Sequence, residues 1–370
     1  MIHLRTFAAL AALVVVLGPT PARSQDLGTD IAGLNLCLYG DCEARGSYAA
    51  DPFGWVNPAT MPVGILKYVP RGAFFSASYY RLTAGGVGVD IESPSLSFAA
   101  APFVFQVTGA YAEGGGQPRS LPGMDLDLRA SIVRVAAAVD LDQVLPMRGW
   151  AIGLMGALPV GKSDLTLSLD DGFQLAESTG ERDLDLTLGA HWRGGERDWF
   201  MAGALVNGIR SPVESEEIDP TTGEAYHAHG TTNVWFVREG VSVLPFVPLG
   251  LATGTEAVAE WLGEMRFGID LAQTSIAVPS EGARQTNVGY FGLDARVVPD
   301  AWNPIARYMR AVLIAGVDTD AGWGIGAGFY GNGPLEFLSC NPAYSSRPIA
   351  NSLGDRVDIW AATCAVAIAF

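Results

Sequence analysis

Short runs in which apolar and polar side chains alternate, strung behind an N-terminal secretory signal, constrain this chain more than any other feature. In Asp164-Leu-Thr-Leu-Ser-Leu-Asp170 the leucines take one face and the polar residues the other. Asp183 to Trp192 repeats the pattern, and Met265, Phe267, Ile269 and Leu271 interleave with Glu264, Arg266, Gly268 and Asp270. A period of two marks a strand with two unlike faces. The last such run, Trp360 to Phe370, stops on an aromatic carboxylate. In lipid every backbone N–H and C=O needs a partner within the protein, so strands can cross a membrane only as a closed barrel. The sequence therefore predicts an all-β fold, a transmembrane antiparallel β-barrel of the bacterial outer membrane.

The signal occupies residues 1–24. His3 and Arg5 precede an apolar run from Phe7 to Leu17, Gly18, Pro19 and Pro21 break it, and Ala22-Arg23-Ser24 supplies small residues for cleavage. The run is shorter than the ~20 residues a spanning helix needs, which disfavours the alternative of an uncleaved anchor. Gln25, not a lipidated cysteine, would open the mature chain. A net charge of −16 argues against nucleic acid as a partner, since no basic stripe is present. Outer-membrane lipid and, through the terminal aromatic strand, the barrel assembly machinery are the expected partners.

Residues 25–69 differ from the rest: they are rich in Gly, Pro, Asp and Ala and show little alternation. They are read as a compact N-terminal plug inside the lumen, with 70–370 forming the wall. Candidate strands lie near 73–82, 86–98, 102–112, 149–158, 197–208, 233–244, 286–298, 306–318, 323–331 and 356–370, besides the runs quoted above. At ~10 residues per strand, the wall accommodates roughly twelve to fourteen strands, and fourteen is the expected even number. Between Leu126 and Leu141 the apolar set changes phase, from Leu126, Leu128 and Ile132 to Val133, Val135 and Val139, which predicts a β-bulge. Ser211–Thr232, with five carboxylates, reads as a long extracellular loop, and Glu256–Met265 has the spacing of a short helix.

Four cysteines behind a signal suggest disulfides. Cys37 with Cys42, around a tight turn, and Cys340 with Cys364 are the favoured pairs among three connectivities. A four-cysteine zinc site competes poorly, because Cys340 and Cys364 lack the close spacing such sites use.

Two motifs resemble nucleotide-binding chemistry. Gly156 to Ser163 fits the P-loop pattern, and Gly326 to Gly331 fits the dinucleotide fingerprint. Each needs a following helix to cradle phosphates, whereas alternating or Gly-aromatic strand sequence follows or surrounds both. His227 and His229 in the acidic segment could hold a metal but read as solvated residues, and His191 as a lumen-lining side chain. No metal, cofactor or catalytic triad is called for, and an enzyme is not expected.

The segment Asp51-Pro-Phe-Gly-Trp-Val-Asn57-Pro58-Ala59-Thr-Met61 resembles the Asn-Pro-Ala stretch of the long-chain fatty acid outer-membrane transporter family, the FadL type. In that family the stretch lies in the N-terminal plug shortly before the first strand, with a large apolar residue soon after, here Met61. The resemblance implies a fourteen-stranded barrel with a plug, passively moving hydrophobic small molecules such as fatty acids or aromatic hydrocarbons through an apolar pocket and a lateral opening. Asn57, Pro58 and Ala59 would be the plug motif. Because Ser93-Pro94 interrupts an early strand, the candidate cargo path runs by Pro94, Leu96, Phe98, Phe103 and Phe105. A structural or adhesion barrel that transports nothing is the alternative.

Overall fold

A computed structural model describes residues 57–68, 70–117, 123–158, 163–169, 174–180, 184–195, 198–218, 225–250, 257–278, 282–297, 308–319, 321–331, 338–348 and 356–369. The expected signal, residues 25–56 of the expected plug with Cys37 and Cys42, and Phe370 lie outside them.

A turn of 3₁₀ helix, Pro58–Thr60, leads into α1, Met61–Tyr68. Sixteen strands follow: β1 Arg71–Ala84, β2 Val87–Ala100, β3 Phe103–Gly116, β4 Met124–Asp140, β5 Trp150–Leu158, β6 Ser163–Leu169, β7 Gln174–Gly180 and β8 Leu184–Gly194. The second half comprises β9 Phe200–Ile218, β10 Ala225–Val243, helix α2 Ala257–Gly263, β11 Arg266–Val278, β12 Gly282–Arg296, β13 Met309–Asp318, β14 Trp323–Gly331, β15 Leu338–Pro348 and β16 Arg356–Ala369. Every pairing is antiparallel and, apart from β1 with β16, joins sequence neighbours except where β6 and β7 intervene. β5 and β6 pair with successive stretches of β4, and β8 and β7 with successive stretches of β9. Each of these two couples thus fills a single wall position, so the closed barrel has fourteen.

Closure comes from β1 against β16, with Gly72 opposite Ala369 at the terminal rim, where β1 begins and β16 ends, and Ala84 opposite Val357 at the far rim. Gly85 and Gly86, with φ of 53° and 98°, make the two-residue turn between β1 and β2 that such conformations allow. The inner face is fixed by what α1 touches. Met61 and Ile65 pack with Phe74, Ala99, Val104, Ala136, Ala138, Met155 and Ala365. The opposite face carries exposed Phe75, Leu96, Phe98, Phe103, Phe105, Val107, Ile152, Leu154, Leu188, Trp235, Ile269 and Phe291. At ~3.4 Å per residue and ~40° tilt, the stretch from Phe103 to Tyr111 rises roughly 20 Å, close to the ~25 Å apolar band of an outer-membrane barrel.

The expected bulge in β4 is absent. Register with β3 runs unbroken from Phe103↔Val139 to Gly116↔Leu126. Leu126, Leu128 and Ile132 are buried on the inner face, whereas Val135 is exposed on the outer one. The environment changes phase, not the strand: its far half has an apolar inner side and its near half an apolar outer side. The same exchange occurs in β1, where buried Tyr80 and Leu82 give way to buried Ser78 and Ser76 with Phe75 outside.

Ser211–Thr232 is likewise not a loop. β9 runs to Ile218 and β10 starts at Ala225, so most of this acidic segment, His227 and His229 included, is a paired strand extension beyond the band. Residues 219–224 lie outside the described residues. The P-loop-like stretch leads into strand β6, and the fingerprint-like glycines lie within β14. The short helix anticipated at Glu256–Met265 is α2, held to the wall by Trp261 Nε1–H donating to the Arg296 carbonyl at 2.6 Å. Cys340 and Cys364 face each other across the β15–β16 ladder and are joined by a disulfide.

Candidate functional site

The turn that begins the described chain docks in a notch of the inner wall. Asn57 Oδ1 accepts from the Ala59 N–H at 3.0 Å, capping the turn, while Pro58 supplies a fixed φ at the first position. The Thr60 hydroxyl donates back to the Asn57 carbonyl at 2.8 Å. The other half of the Asn57 amide is spent on the wall. Its Nδ2 donates to the carbonyls of Ala190 in β8 and Ala204 in β9, at 3.1 and 3.3 Å. Asn57, Pro58, Ala59, Thr60 and Met61 are all buried.

Two glycines make the notch. Gly153 of β5 and Gly189 of β8 are register partners. A Cβ on Gly153 would lie 2.5 Å from the Pro58 carbonyl carbon, and one on Gly189 would overlap Asn57 Oδ1. Sequence reading singled out the Asn57–Ala59 turn but not its receptor. Glycines in strands of ordinary alternation are a weak signal until the opposing segment is known.

Farther from the terminal rim, the inner face is polar. Gln106 donates to Ser97 and Thr108 to Ser95, across β2 and β3. Arg134 of β4 faces Asp185 of β8 at 3.9 Å, and Asn207 of β9 donates to Asp185 at 2.9 Å and to Thr187 at 2.8 Å. Across the lumen, Arg238 of β10 pairs with Asp270 of β11 at 2.5 Å, both nearly inaccessible, and its guanidinium lies 5.1 Å from the Tyr290 ring. Such charges persist in a buried place only because each has a partner. His191, 1% exposed, belongs to this inner face as the sequence suggested.

Beyond the polar layer the inner face turns apolar. Tyr80, Leu82, Val87, Val89, Ile91, Ala112, Leu126, Leu128, Ile132, Val357 and Ile359 form one packed sector on β1–β4, β15 and β16 at the far rim. These side chains are buried against one another, and their apolar chemistry is of the kind that would receive a hydrophobic solute.

Where this sector meets the polar layer, the wall is imperfect. The β2–β3 ladder runs through Glu92↔Tyr111 and resumes at Ser95↔Thr108, so Ser93 and Pro94 skip their partners Ala110 and Gly109 without any shift of register. Pro94 has no N–H to give, and Ser93 Oγ donates instead to the Gly109 carbonyl at 3.1 Å. The β1 side of the strand stays fully paired. Of the residues expected along a cargo path, Pro94 borders this lapse, whereas Leu96, Phe98, Phe103 and Phe105 all lie on the outer face, 39–51% exposed. None of those four faces the interior, because their parity places Ser95, Ser97, Val104 and Gln106 there instead.

A closed fourteen-position barrel with an inward N-terminal turn and an apolar outer band is an outer-membrane architecture. No protein-family model and no curated protein matches the chain in sequence. Among solved structures, the toluene transporter TodX of Pseudomonas putida matches with a TM-score of 0.50 at 11% identity, over 85% of this chain and 93% of that one. The fold is that of the TodX barrel. The Ralstonia pickettii toluene transporter TbuX (TM-score 0.49, 9% identity, 88% and 96% covered) is also similar. So is a Pseudomonas aeruginosa FadL homologue (TM-score 0.48, 11% identity, 85% and 93% covered).

Proposed function

We propose that this barrel is a passive channel for hydrophobic compounds, taking up fatty acids or aromatic hydrocarbons at its far mouth and releasing them sideways into the membrane. The observation that carries the reading is the apolar inner sector ending at the Ser93-Pro94 lapse. Solute descending past Val89 and Ile91 meets Ser95, Thr108 and Arg134, whose hydrogen-bonded layer offers it nothing. At that height the only favourable direction is outward, onto Leu96, Val107, Phe98 and Phe105 of the lipid-facing wall. Each methylene moved out of water gains ~0.8 kcal/mol, so both the sector and the band attract such cargo, while the polar layer excludes it. Residues 25–69, of which 57–68 are seen docked, would form the plug that keeps the lumen shut to polar solutes.

Toluene, as in the similar transporters TodX and TbuX, and a long-chain fatty acid are the cargoes to try first. Uptake of both into cells carrying the protein should saturate, and Ile132→Arg, which sets a charge in the sector, should abolish it while heat-modifiable folding persists. The buried ion pairs favour a second reading, a scaffold whose lumen is permanently filled. Unchanged uptake in folded Ile132→Arg, or uptake no greater than in cells lacking the protein, would favour that reading.

A further inference from the structure

The outer surface of β16, β1, β2 and β3 carries a groove of about 950 Å³ near the far rim, away from the lumen. Its floor is glycine, with Gly85, Gly86, Gly88, Gly114 and Gly115 leaving backbone uncovered. Arg81 and Arg356 stand among its walls with Asp90, Glu92, Glu113 and Asp358. Strand register explains how these charges meet. Arg81 is opposite Asp90, Asp90 is opposite Glu113, and Glu113 is opposite Arg129, a row of charges in register across four strands. Arg81 reaches Asp90 at 3.7 Å and Arg129 reaches Glu113 at 3.6 Å. Asp90 and Glu113 are nonetheless like charges placed directly across a ladder, an arrangement that costs stability.

Height decides what could occupy the groove. The row beneath it is Tyr79, Glu92 and Tyr111, whose phenols donate to Asp90 at 2.5 Å and to Glu113 at 2.9 Å. Aromatic residues with one wet end mark the edge of the apolar band. Farther from the far rim come Phe75, Leu96 and Val107, then Phe98 and Phe105, all exposed to acyl chains. The groove therefore opens where lipid headgroups sit and is continuous with the surface their chains cover.

We propose that this groove binds the sugar–phosphate headgroup of a glycolipid in the leaflet at the far rim, with its acyl chains lying on the Phe75–Leu96–Val107 surface. Guanidinium groups suit phosphate oxygens, and the glycine floor lets a flat ring approach the backbone. The four carboxylates outnumber the two arginines, which disfavours a free anion. They suit a ligand that also brings hydroxyl donors, as a sugar does. The binding is independent of cargo passage, since all of these side chains point away from the lumen.

Folded full-length protein in detergent would be titrated with purified lipopolysaccharide, with binding read by native mass spectrometry. One copy should be retained by the wild type. Retention should weaken about tenfold in Arg81→Ala/Arg356→Ala. Gly88→Leu is a second route that leaves every charge in place. A Cβ there meets only ordinary contacts near 4 Å, so the side chain fills the groove without disturbing the strand. It should weaken retention as well. If both variants, folded by heat modifiability, hold the lipid as the wild type does, the apolar band alone is responsible and the site is refuted. Displacement by millimolar inorganic phosphate would refute it too, by showing a simple anion site.

Discussion

Asn57 occupies the space that a side chain on Gly189 would fill. Its amide oxygen caps its own turn, and its amide nitrogen reaches two wall carbonyls, so one residue ties the N-terminal segment to β8 and β9 at once. Few single side chains could replace it, because the position demands an acceptor toward Ala59 and a donor toward the wall.

The first prediction follows from that geometry. Asn57→Ala loses the cap and two hydrogen bonds, a cost of ~1–2 kcal/mol. Gly189→Ala should be worse, since the methyl group competes with the turn for one place. Both should raise conductance in planar bilayers while the barrel remains heat-modifiable, with Gly189→Ala the leakier. A conductance equal to the wild type in both folded variants would mean the docked turn does not close the lumen.

The second concerns the buried pair of β10 and β11. Arg238→Met takes the guanidinium from Asp270 in an inaccessible place and should cost ~3–5 kcal/mol, measured by urea unfolding in detergent. Arg238→Met/Asp270→Leu removes both charges and should recover most of that loss. If the double variant is no more stable than the single one, the pair is held by more than mutual neutralisation.

The third tests the assignment of faces. Leu96 lies near the middle of the apolar band, so Leu96→Arg should cost ~2–4 kcal/mol of folding stability in liposomes. An arginine at Thr83, on the same outer face but beyond the Tyr79 row, should cost less than ~1 kcal/mol. Equal penalties at the two positions would contradict the height given to the band.

How much of this was legible in the sequence depends on what each signal measures. Alternation in Asp183–Trp192 and Met265–Leu271 reported two unlike faces, and those strands and the closure of β16 on β1 followed directly. It could not say which face was inner. The apolar face of Leu126, Leu128 and Ile132 points into the lumen and that of Val135 into lipid, so an unbroken strand looked bulged. For the same reason alternation could not tell whether Phe98 and Phe105, beside the Ser93-Pro94 interruption, face the lumen or lipid, and they lie on the outer face. β15 escaped notice because Asn341-Pro342 reads as a turn. Pro342 is accommodated because the β14–β15 ladder lapses there, resuming at Phe329↔Cys340, while pairing to β16 continues through Pro342↔Ala362. The turn at Asn57 was visible through its resemblance to a known plug motif. Its glycine seat was not, because Gly153 and Gly189 become partners only once β5 and β8 are paired.

The last prediction concerns the lapse at Pro94. Pro94→Ala restores an N–H that could complete the ladder to β3, with Gly109 and Ala110 already opposite and in register. If cargo leaves sideways here, a completed ladder should slow uptake of toluene and of a long-chain fatty acid alike, leaving protein abundance and heat modifiability unchanged. Hydrogen exchange supplies the independent readout: protection of the Gly109 amide, which shares the β2 side with the Gly109 carbonyl, should rise in the variant. Binding of the same cargo to the inner sector, followed by equilibrium titration, should be unaffected, since Tyr80, Ile91 and Ile132 are untouched. Slower uptake with intact binding separates a blocked exit from a damaged pocket. Undiminished uptake despite stronger amide protection would place the exit elsewhere in the wall.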